Sequence, residues 1–368
     1  MNMIELKQVS RRYGAVQALA PLDFSVRQGE FVTLLGPSGS GKTTLLNLIA
    51  GMVSPSSGRI FVRGVDITDA PPSARGLGMV FQNYALMPHM SVFDNIAFPL
   101  RVRKMSKSEI RDKVMQVLEL VRLPDIAQRK PKELSGGQQQ RVSLARCIVY
   151  NPALILFDEP LGALDKKLRE QMQFEIRRLH AELGITMLNV THDQDEALSM
   201  SDRIVLMNQG QVEQVATPDE LYRSPRTVFA ASFIGTANLI AGVVQENAGE
   251  HAIVSTPLGM LRAAMHSRAV TRGTAVKLLV RPESVRMMGA PDSSDLKLDD
   301  AIAGGLRHAG TLEDSITLGG VVRHHVRLPG DMQIVVQQQG SRRPSTHARG
   351  APVLIDWAPE DCQMILQD

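Results

Sequence analysis

The stretch Gly36-Pro37-Ser38-Gly39-Ser40-Gly41-Lys42-Thr43 fits the pattern G-x-x-x-x-G-K-[ST] of a phosphate-binding loop. The apolar run 31–35 before it predicts a buried strand, and 44–50 predicts a helix that ends at Gly51. A strand, a glycine-rich turn and a helix start direct backbone N–H groups and the positive end of the helix dipole at one point. Lys42 can reach the β- and γ-phosphates of a nucleotide, and the Thr43 hydroxyl can bind Mg²⁺.

The composition limits the classes of function. The chain has 368 residues, which favours two domains, and 41 Lys and Arg against 38 Asp and Glu give a net charge of +3. This weak basic balance, with only 4% aromatic residues, argues against a nucleic-acid binder. Cys147 and Cys362 form no metal or redox pattern, so we expect buried thiols. Without a visible signal peptide or an apolar segment of about 20 residues, a cytoplasmic protein is expected.

Polar side chains follow three further apolar strands of the first part. The strand at 79–82 ends on Gln82, where a group that faces a ligand is expected. The run 153–157 leads into Asp158 and Glu159, which suit a magnesium partner and an acceptor for the proton of attacking water. The strand at 185–190 precedes His192. A lone histidine is more often structural, but this position beside the phosphate loop favours a functional role.

Three other segments admit two interpretations each. The turn Leu134-Ser135-Gly136-Gly137-Gln138 opens a helix predicted at 139–150, either as a second anion site or as a plain capped helix. Tyr13, predicted in a turn at 11–14, either stacks on an adenine or is a surface tyrosine. The apolar loop at 83–90 either meets a partner or packs on its own helices.

The order of the elements predicts the fold class. Strands alternate with helices over the first part, which predicts an α/β fold with a parallel sheet. Ser106 and Glu109 predict a capping box for the helix at 106–122. After Thr236 the runs are short, rich in β-branched residues and separated by glycines, which predicts a small β-barrel or sandwich. The polar stretch 337–350 predicts a mobile loop.

Together these motifs resemble the nucleotide-binding subunits of ABC transporters, in the importer group that powers uptake of polyamines, iron, sulfate or sugars. The likeness covers essentially the whole chain. The phosphate loop is similar to Walker A, 134–138 to the LSGGQ signature, 154–159 to Walker B and 161–165 to the D-loop. Gln82, His192 and Tyr13 match the Q-loop glutamine, the switch histidine and the adenine-stacking aromatic residue.

The resemblance implies a domain organisation. Residues 1–235 would form a P-loop NTPase domain of the ABC ATPase type, with a parallel-sheet core and a helical subdomain at about 90–150. Residues 236–368 would form a small all-β, barrel-like domain of the TOBE type that is regulatory or supports dimerisation.

The resemblance also implies a mechanism in which two subunits close head to tail around two ATP molecules. Glu159 would polarise the attacking water, and His192 and Gln82 would complete the catalytic set. Thr43 and Gln82 would hold Mg²⁺, with Asp158 behind it. The residues implied to contact ATP come from both halves of such a site, namely Tyr13, Gly36, Pro37, Ser38, Gly39, Ser40, Gly41, Lys42, Thr43, Thr44, Ser135, Gly136, Gly137, Gln138 and Asp165.

The implied partners are a second copy of the chain, two membrane permeases and, through them, a solute-binding protein, at the cytoplasmic face of the inner membrane and without nucleic acid. Residues 69–100 are most similar to polyamine importers, which favours spermidine or putrescine over iron(III), sulfate, phosphonate or sugar. A non-transport ABC-type ATPase acting on nucleic acid or ribosomes is the competing interpretation. It usually has paired ATPase domains or long coiled coils, and neither is visible here. A small-molecule sensor in the C-terminal part would be compatible with transport.

Overall fold

The computed structural model describes residues 1–265, 270–289, 307–340 and 348–366. The chain forms two compact units, Met1–Leu221 and Tyr222–Asp368, each described by itself below. The domain boundary expected between 235 and 236 stays a prediction. The elements of the first unit, in chain order, are β1 (Asn2–Tyr13), β2 (Val16–Arg27), β3 (Phe31–Leu35), α1 (Lys42–Ala50), β4 (Ser57–Val62), β5 (Val65–Asp66), β6 (Gly78–Val80), α2 (Val92–Val102), α3 (Lys107–Leu120), α4 (Gly136–Ile148), β7 (Leu154–Asp158), α5 (Lys166–Leu183), β8 (Thr186–Thr191), α6 (Gln194–Met200), β9 (Arg203–Asn208) and β10 (Gln211–Ala216).

Two sheets form the framework of the first unit. The larger sheet has the strand order β10-β9-β3-β8-β7-β6, and only its edge strand β10 is antiparallel to its neighbour. The smaller sheet is antiparallel, with the order β2-β1-β4-β5. Every residue of β3 and β8 is buried, which is typical of central parallel strands covered on both faces. The predicted α/β fold with a parallel core is therefore confirmed.

One local prediction was wrong. Arg11 and Arg12 were expected in a turn, but they lie in β1 and pair with Leu19 and Gln17 of β2. The backbone N–H of Arg12 also donates to the Ser56 hydroxyl. The turn is therefore confined to residues 14 and 15, and Tyr13 is the last residue of a strand.

Side-chain caps satisfy the first N–H groups of α3 and α4. The capping box between Ser106 and Glu109 is present at the start of α3, as predicted. Ser135 caps α4 in the same way with Gln138, so this helix begins at Gly136, three residues earlier than expected. α1 ends at Gly51, which has a left-handed φ of +79° and confirms the predicted stop.

A buried arginine satisfies the carboxyl-terminal end of α1. The Arg75 side chain is 6% exposed. Its guanidinium donates to the carbonyls of Leu48 and Ile49 in α1 and to those of Thr68 and Ala70. A cation at this end of a helix also complements the helix dipole. The helix that follows the phosphate loop is thus fixed at its far end.

A buried glutamate fastens α6 to β8. The Glu196 carboxylate accepts hydrogen bonds from Asn189 Nδ2 at 2.8 Å and from the Thr191 hydroxyl at 3.2 Å. Burial raises the pKa of the Glu196 carboxyl from 4.5 to about 7, and these two hydrogen bonds act in the opposite direction. Asp193 raises this pKa further and Arg169 lowers it. The contact is therefore sensitive to pH near neutrality.

The second unit contains a closed barrel and a separate sheet. The barrel has the order β11-β12-β13-β20-β14, and the sheet has the order β15-β19-β16-β17-β18. The prediction of a small barrel or sandwich is confirmed by the barrel. From Pro218 onward the elements are α7 (Pro218–Arg223), α8 (Val228–Phe233), β11 (Asn238–Ala248), β12 (His251–Thr256), β13 (Gly259–Ala264), β14 (Ala275–Val280), β15 (Arg286–Gly289), β16 (His308–Leu318), β17 (Val321–Leu328), β18 (Met332–Gln339), β19 (Pro352–Asp356) and β20 (Cys362–Leu366).

Arg281 fixes the segment at 222–236, which precedes the barrel. Its guanidinium is 7% exposed and donates to the carbonyls of Tyr222, Ala231, Ile234 and Thr236. Residues 222–235, which precede the expected boundary, are therefore in contact with this unit.

Two further predictions can be compared with the described residues. Cys147 and Cys362 are free and buried, as predicted. The predicted loop at 337–350 begins inside β18, and its part at 341–347 lies outside the described residues.

Replacing Arg75 with methionine should destabilise the first unit. Methionine keeps the apolar stem but leaves buried carbonyls without donors, at a cost of about 3 kcal/mol in the free energy of unfolding. Chemical denaturation followed by circular dichroism measures this change. Arg59→Met is the matched control, because Arg59 is exposed and forms only a surface ion pair with Asp66. Equal unfolding midpoints for the two variants would contradict the capping role.

Replacing Glu196 with glutamine should remove a pH dependence of stability. The folded carboxyl has the higher pKa, so the unfolded chain ionises first as the pH rises from 4.5 to 7 and the folded state is progressively disfavoured. The full effect is about 3 kcal/mol. Glutamine does not ionise, and it can accept from Asn189 Nδ2 with its oxygen and donate to the Thr191 hydroxyl with its NH2 group. We expect the thermal midpoint of the wild type to fall relative to Glu196→Gln between pH 5 and 8.

The control for this experiment is Glu170→Gln, which changes an exposed glutamate of α5. If the thermal midpoints of the wild type and Glu196→Gln change with pH by the same amount between pH 5 and 8, Glu196 does not cause the pH dependence.

Candidate active site

The predicted polar residues follow neighbouring strands of the larger sheet. β3 lies between β9 and β8, and β7 and β6 follow next to β8. Because these strands are parallel, their carboxyl ends meet at one edge. The phosphate loop follows β3, Asp158 ends β7, His192 follows β8 directly, and Gln82 comes two residues after β6.

The phosphate loop has a shape that requires glycine at specific positions. A Cβ at Gly36 would lie 2.2 Å from the Met207 carbonyl oxygen. Gly41 has a φ of +97°, and a Cβ there would lie 2.8 Å from the Ala18 carbonyl oxygen. No other residue type fits these positions without moving the backbone. The loop is therefore held closely between β9 and the β1–β2 hairpin.

Lys42 is buried at the start of α1, with its ammonium turned back toward the loop. Its Nζ donates to the carbonyl oxygens of Gly36 at 2.8 Å and Pro37 at 2.9 Å. Burial lowers the pKa of Lys42, and the nearby Glu159 carboxylate partly offsets this shift. A phosphate oxygen would offer this cation a charged acceptor, which binds more strongly than a carbonyl.

Two acidic residues stand at the end of β7. Burial raises the pKa of the Asp158 carboxyl, and repulsion from Glu159 adds to the shift. Glu159 has a left-handed φ of +46°, and its backbone N–H donates to the Val190 carbonyl of β8 at 3.0 Å. A residue other than glycine in this conformation is strained by about 1 kcal/mol or more, as is common at functional sites. The strain is held by pairing with the neighbouring strand.

The structure brings His192 and Gln82 to Glu159. The Nδ1 atom of His192 lies 3.3 Å from Glu159 Oε1, and the histidine side chain is 59% exposed. A Cβ at Gly162 would be 3.6 Å from Gln82 Nε2 and 4.0 Å from Glu159 Oε2, so all three residues lie close together. The predicted catalytic residues therefore share one partly open region beside Lys42. Their catalytic roles stay predictions.

The predicted signature turn packs against the residues that follow β7. A Cβ at Gly136 would lie 3.3 Å from Leu164, and one at Gly137 would lie 2.7 Å from Leu168. Ser135 is exposed and caps α4. Within the described parts of the chain, none of the hydrogen bonds or ion pairs joins residues 135–138 to the phosphate loop. Both interpretations of the turn remain compatible with this geometry.

Tyr13 lies at the tip of the β1–β2 hairpin. Its side chain is 45% exposed, and the guanidinium of Arg11 covers one face of the ring at 4.4 Å from the centroid. Arg11 also donates to the Ser54 carbonyl, which fixes this stacking partner. The adenine-stacking role of Tyr13 stays a prediction.

The apolar loop after Gln82 packs largely on its own helices. Tyr84 is buried, Leu86 packs against the same core, and Met87 exchanges backbone hydrogen bonds with the Asn95 side chain of α2. These contacts support the packed interpretation for the middle of the loop.

Sequence reasoning missed Arg169, which lies in the first turn of α5. Its guanidinium donates to Asp193 Oδ2 at 2.8 Å and to the Leu164 carbonyl at 3.1 Å. Asp165 caps the same helix by accepting the N–H of Leu168. An arginine in a helix rich in charges carries no pattern that distinguishes it from a solvated residue.

Among residues 1–265, 270–289, 307–340 and 348–366, no group of three or more His, Cys, Asp and Glu side chains could hold an ion. The hydroxyl of Thr43, the amide oxygen of Gln82 and the carboxylate of Asp158 are hard oxygen donors. They suit Mg²⁺, which commonly takes a few protein oxygens and completes its shell with phosphate and water.

Within the same described ranges, no helix has both the length and the apolar composition needed to cross a membrane.

Comparison with known proteins identifies both parts of the chain. Residues 19–162 match the family described as ABC transporter, and residues 278–365 match the TOBE domain. The dimeric structure of a post-hydrolysis state of the ATP-binding cassette MJ0796, bound to ADP and Pi, is similar with a TM-score of 0.52 and 35% identity. It covers 59% of this chain and 99% of that one.

The curated relatives match over nearly their whole length. The spermidine/putrescine import ATP-binding protein PotA of Trichodesmium erythraeum (strain IMS101) is 42% identical over 368 residues, which covers 98% of this chain and 94% of the relative. The protein of the same name from Thermobifida fusca (strain YX) is 43% identical over 373 residues, covering 97% and 92%. At this identity and coverage, the chain belongs to the ATP-binding proteins of ABC transporters, in the family of the spermidine/putrescine import ATP-binding proteins PotA.

Proposed function

We propose that this chain is the ATP-hydrolysing subunit of an ABC importer for spermidine and putrescine, with Mg²⁺ as the cofactor. The observation that carries the proposal is the meeting of Lys42, Glu159 and His192 at one edge of the parallel sheet. A phosphate-binding loop with its lysine and a residue that positions the attacking water are recurring parts of γ-phosphate transfer. His192 lies within 3.3 Å of the carboxylate proposed for the second of these roles. The choice of solute rests on the two import proteins compared above, of which the chain covers more than nine-tenths.

Each residue of the site has a role in this proposal. Lys42 binds the β- and γ-phosphates, and the glycines of the loop let the backbone N–H groups approach them. Glu159 orients the attacking water and accepts its proton, while His192 contacts the γ-phosphate. Thr43, Gln82 and Asp158 would hold Mg²⁺, which neutralises phosphate charge when bound.

The active assembly in this proposal contains two copies of the chain. Ser135 to Gln138 and Asp165 would complete the ATP site of the partner copy, and Tyr13 would stack on the adenine. The similar cassette bound to ADP and Pi supports this arrangement, because it is dimeric and 99% of its chain is matched by this one. The pair would bind two permeases at the cytoplasmic face of the inner membrane, and the permeases would receive solute from a binding protein.

Replacing Glu159 with glutamine should stop hydrolysis without preventing ATP binding. Glutamine has the same size but cannot accept the proton of the attacking water, so we expect a loss of about 10²–10⁴-fold in turnover. The variant should accumulate as an ATP-bound dimer in size-exclusion chromatography. Phosphate release by Glu170→Gln, which changes an exposed residue of α5, serves as the control. Turnover of Glu159→Gln at the wild-type rate would remove the proposed role.

Replacing Lys42 with alanine should weaken ATP binding. The charged contact with phosphate contributes about 1.5–3 kcal/mol, so the dissociation constant should rise at least about tenfold. Titration with a fluorescent ATP analogue measures this change. Lys113→Ala, an exposed lysine of α3, is the matched control. If both variants bind the analogue equally well, the phosphate loop does not use Lys42 as described.

A further inference from the structure

Arg169 contacts two separate segments of the active-site edge. Its guanidinium bridges the Asp193 carboxylate, one residue after His192, and the Leu164 carbonyl, one residue before Asp165. The ion pair is partly buried, with 30% of the Arg169 side chain and 25% of the Asp193 side chain exposed. A planar guanidinium can make both contacts at once, whereas an ammonium is a single point charge.

The Asp193 end of this bridge determines the backbone on both sides of His192. Asp193 Oδ1 caps α6 by accepting the Glu196 N–H, and the Asp193 N–H donates to the Thr191 hydroxyl at 3.0 Å. Thr191 donates in turn to the buried Glu196 carboxylate. His192 therefore stands between two residues that are each fixed, although its own side chain is exposed.

The Leu164 end of the bridge lies beside the signature turn. A Cβ at Gly136 would lie 3.3 Å from the Leu164 side chain, which is tighter than an ordinary van der Waals contact, so the turn packs closely on Leu164 only with glycine at 136. The next residue, Asp165, starts α5 as its cap. A shift of Leu164 would therefore move the start of α5 and the packing of the turn together.

We propose that Arg169 is a positioning residue for ATP hydrolysis, which fixes the segment of His192 and the segment at 161–165 relative to each other. The inference rests on the proposed function. In the described part of the chain, the hydrogen bonds and ion pair of Arg169 go to Asp193 and Leu164 and not to the phosphate loop. Arg169 should therefore affect the rate of the chemical step and not the binding of ATP to one subunit. Misplacing a reacting group by about 1 Å can cost about 10²-fold in rate.

The first experiment compares two arginines of α5 in the full-length chain. Arg177→Met is the matched control, because Arg177 also reaches α6, donating to the Ser199 carbonyl, but two turns farther from the site. We expect Arg169→Met to lower kcat about 10- to 100-fold with the KM for ATP changed less than about threefold. Arg177→Met should keep kcat near the wild-type value. Equal kcat values for the two variants, or a loss confined to KM, would overturn the inference.

A second set of variants separates positioning from folding. Arg169→Lys keeps a positive charge beside Asp193 but cannot make the same two contacts, so we expect a wild-type thermal midpoint and a kcat close to that of Arg169→Met. Asp193→Asn and Arg169→Met should be non-additive when combined, because they remove the same bridge. Full recovery of kcat by lysine, or additive losses in the double variant, would refute the bridge.

The wild type separates the two proposals. A wild-type chain that does not hydrolyse ATP under any tested condition would sink the proposed function. If the wild type hydrolyses ATP and Arg169→Met does so at the same rate, only the proposed role of Arg169 is refuted.

Discussion

The first unit depends on the pairing of three adjacent parallel strands, β3, β8 and β7. Their side chains are almost entirely buried, so the register of the strands is fixed by the core on both faces. Leu35 pairs with Thr191, and Asp158 pairs with Val190, which places the ends of all three strands at one level. The phosphate loop, the acidic pair and His192 follow directly from these ends. The geometry of the candidate site is thus set by hydrophobic burial, and the loops add only short extensions to it.

Two buried charged groups near this edge have pKa values that are shifted in opposite directions. Burial lowers the pKa of Lys42 and raises that of Asp158, so each group is shifted toward its neutral form. A magnesium nucleotide brings both a cation and phosphate anions, which favour the charged forms of both residues. The opposite charges on the ligand would therefore offset the cost of burying these two groups. The backbone of Glu159 is also strained, and the surrounding structure keeps it in this conformation.

Local patterns predicted the framework well because they act over a few residues. The runs at 31–35 and 153–157 are so apolar that they are expected in the buried core. The glycine spacing at 36–41 is compatible with few turns besides a phosphate loop. The pair Ser106 and Glu109 predicts the start of a helix, which is where α3 begins. The predicted turn at 11–14 failed because Arg12 is held by Ser56, which is distant in sequence. Arg75 and Arg169 were missed for the same reason, since Leu48 and Asp193 are distant from them in sequence. The partners of Glu196 lie within seven residues, but they face it only because α6 folds back on β8.

In the proposed dimer, one copy would serve two ATP sites, and the contacts within that copy would connect them. Lys42, Glu159 and His192 would face the ATP bound by their own subunit, while Ser135 would face the one bound by its partner. Gly136 packs on Leu164, and Leu164 is joined through Arg169 to the residue after His192. A displacement at the signature turn therefore has a short route of packed and hydrogen-bonded atoms to the histidine. Such a route would let closure of one interface set the geometry at the other.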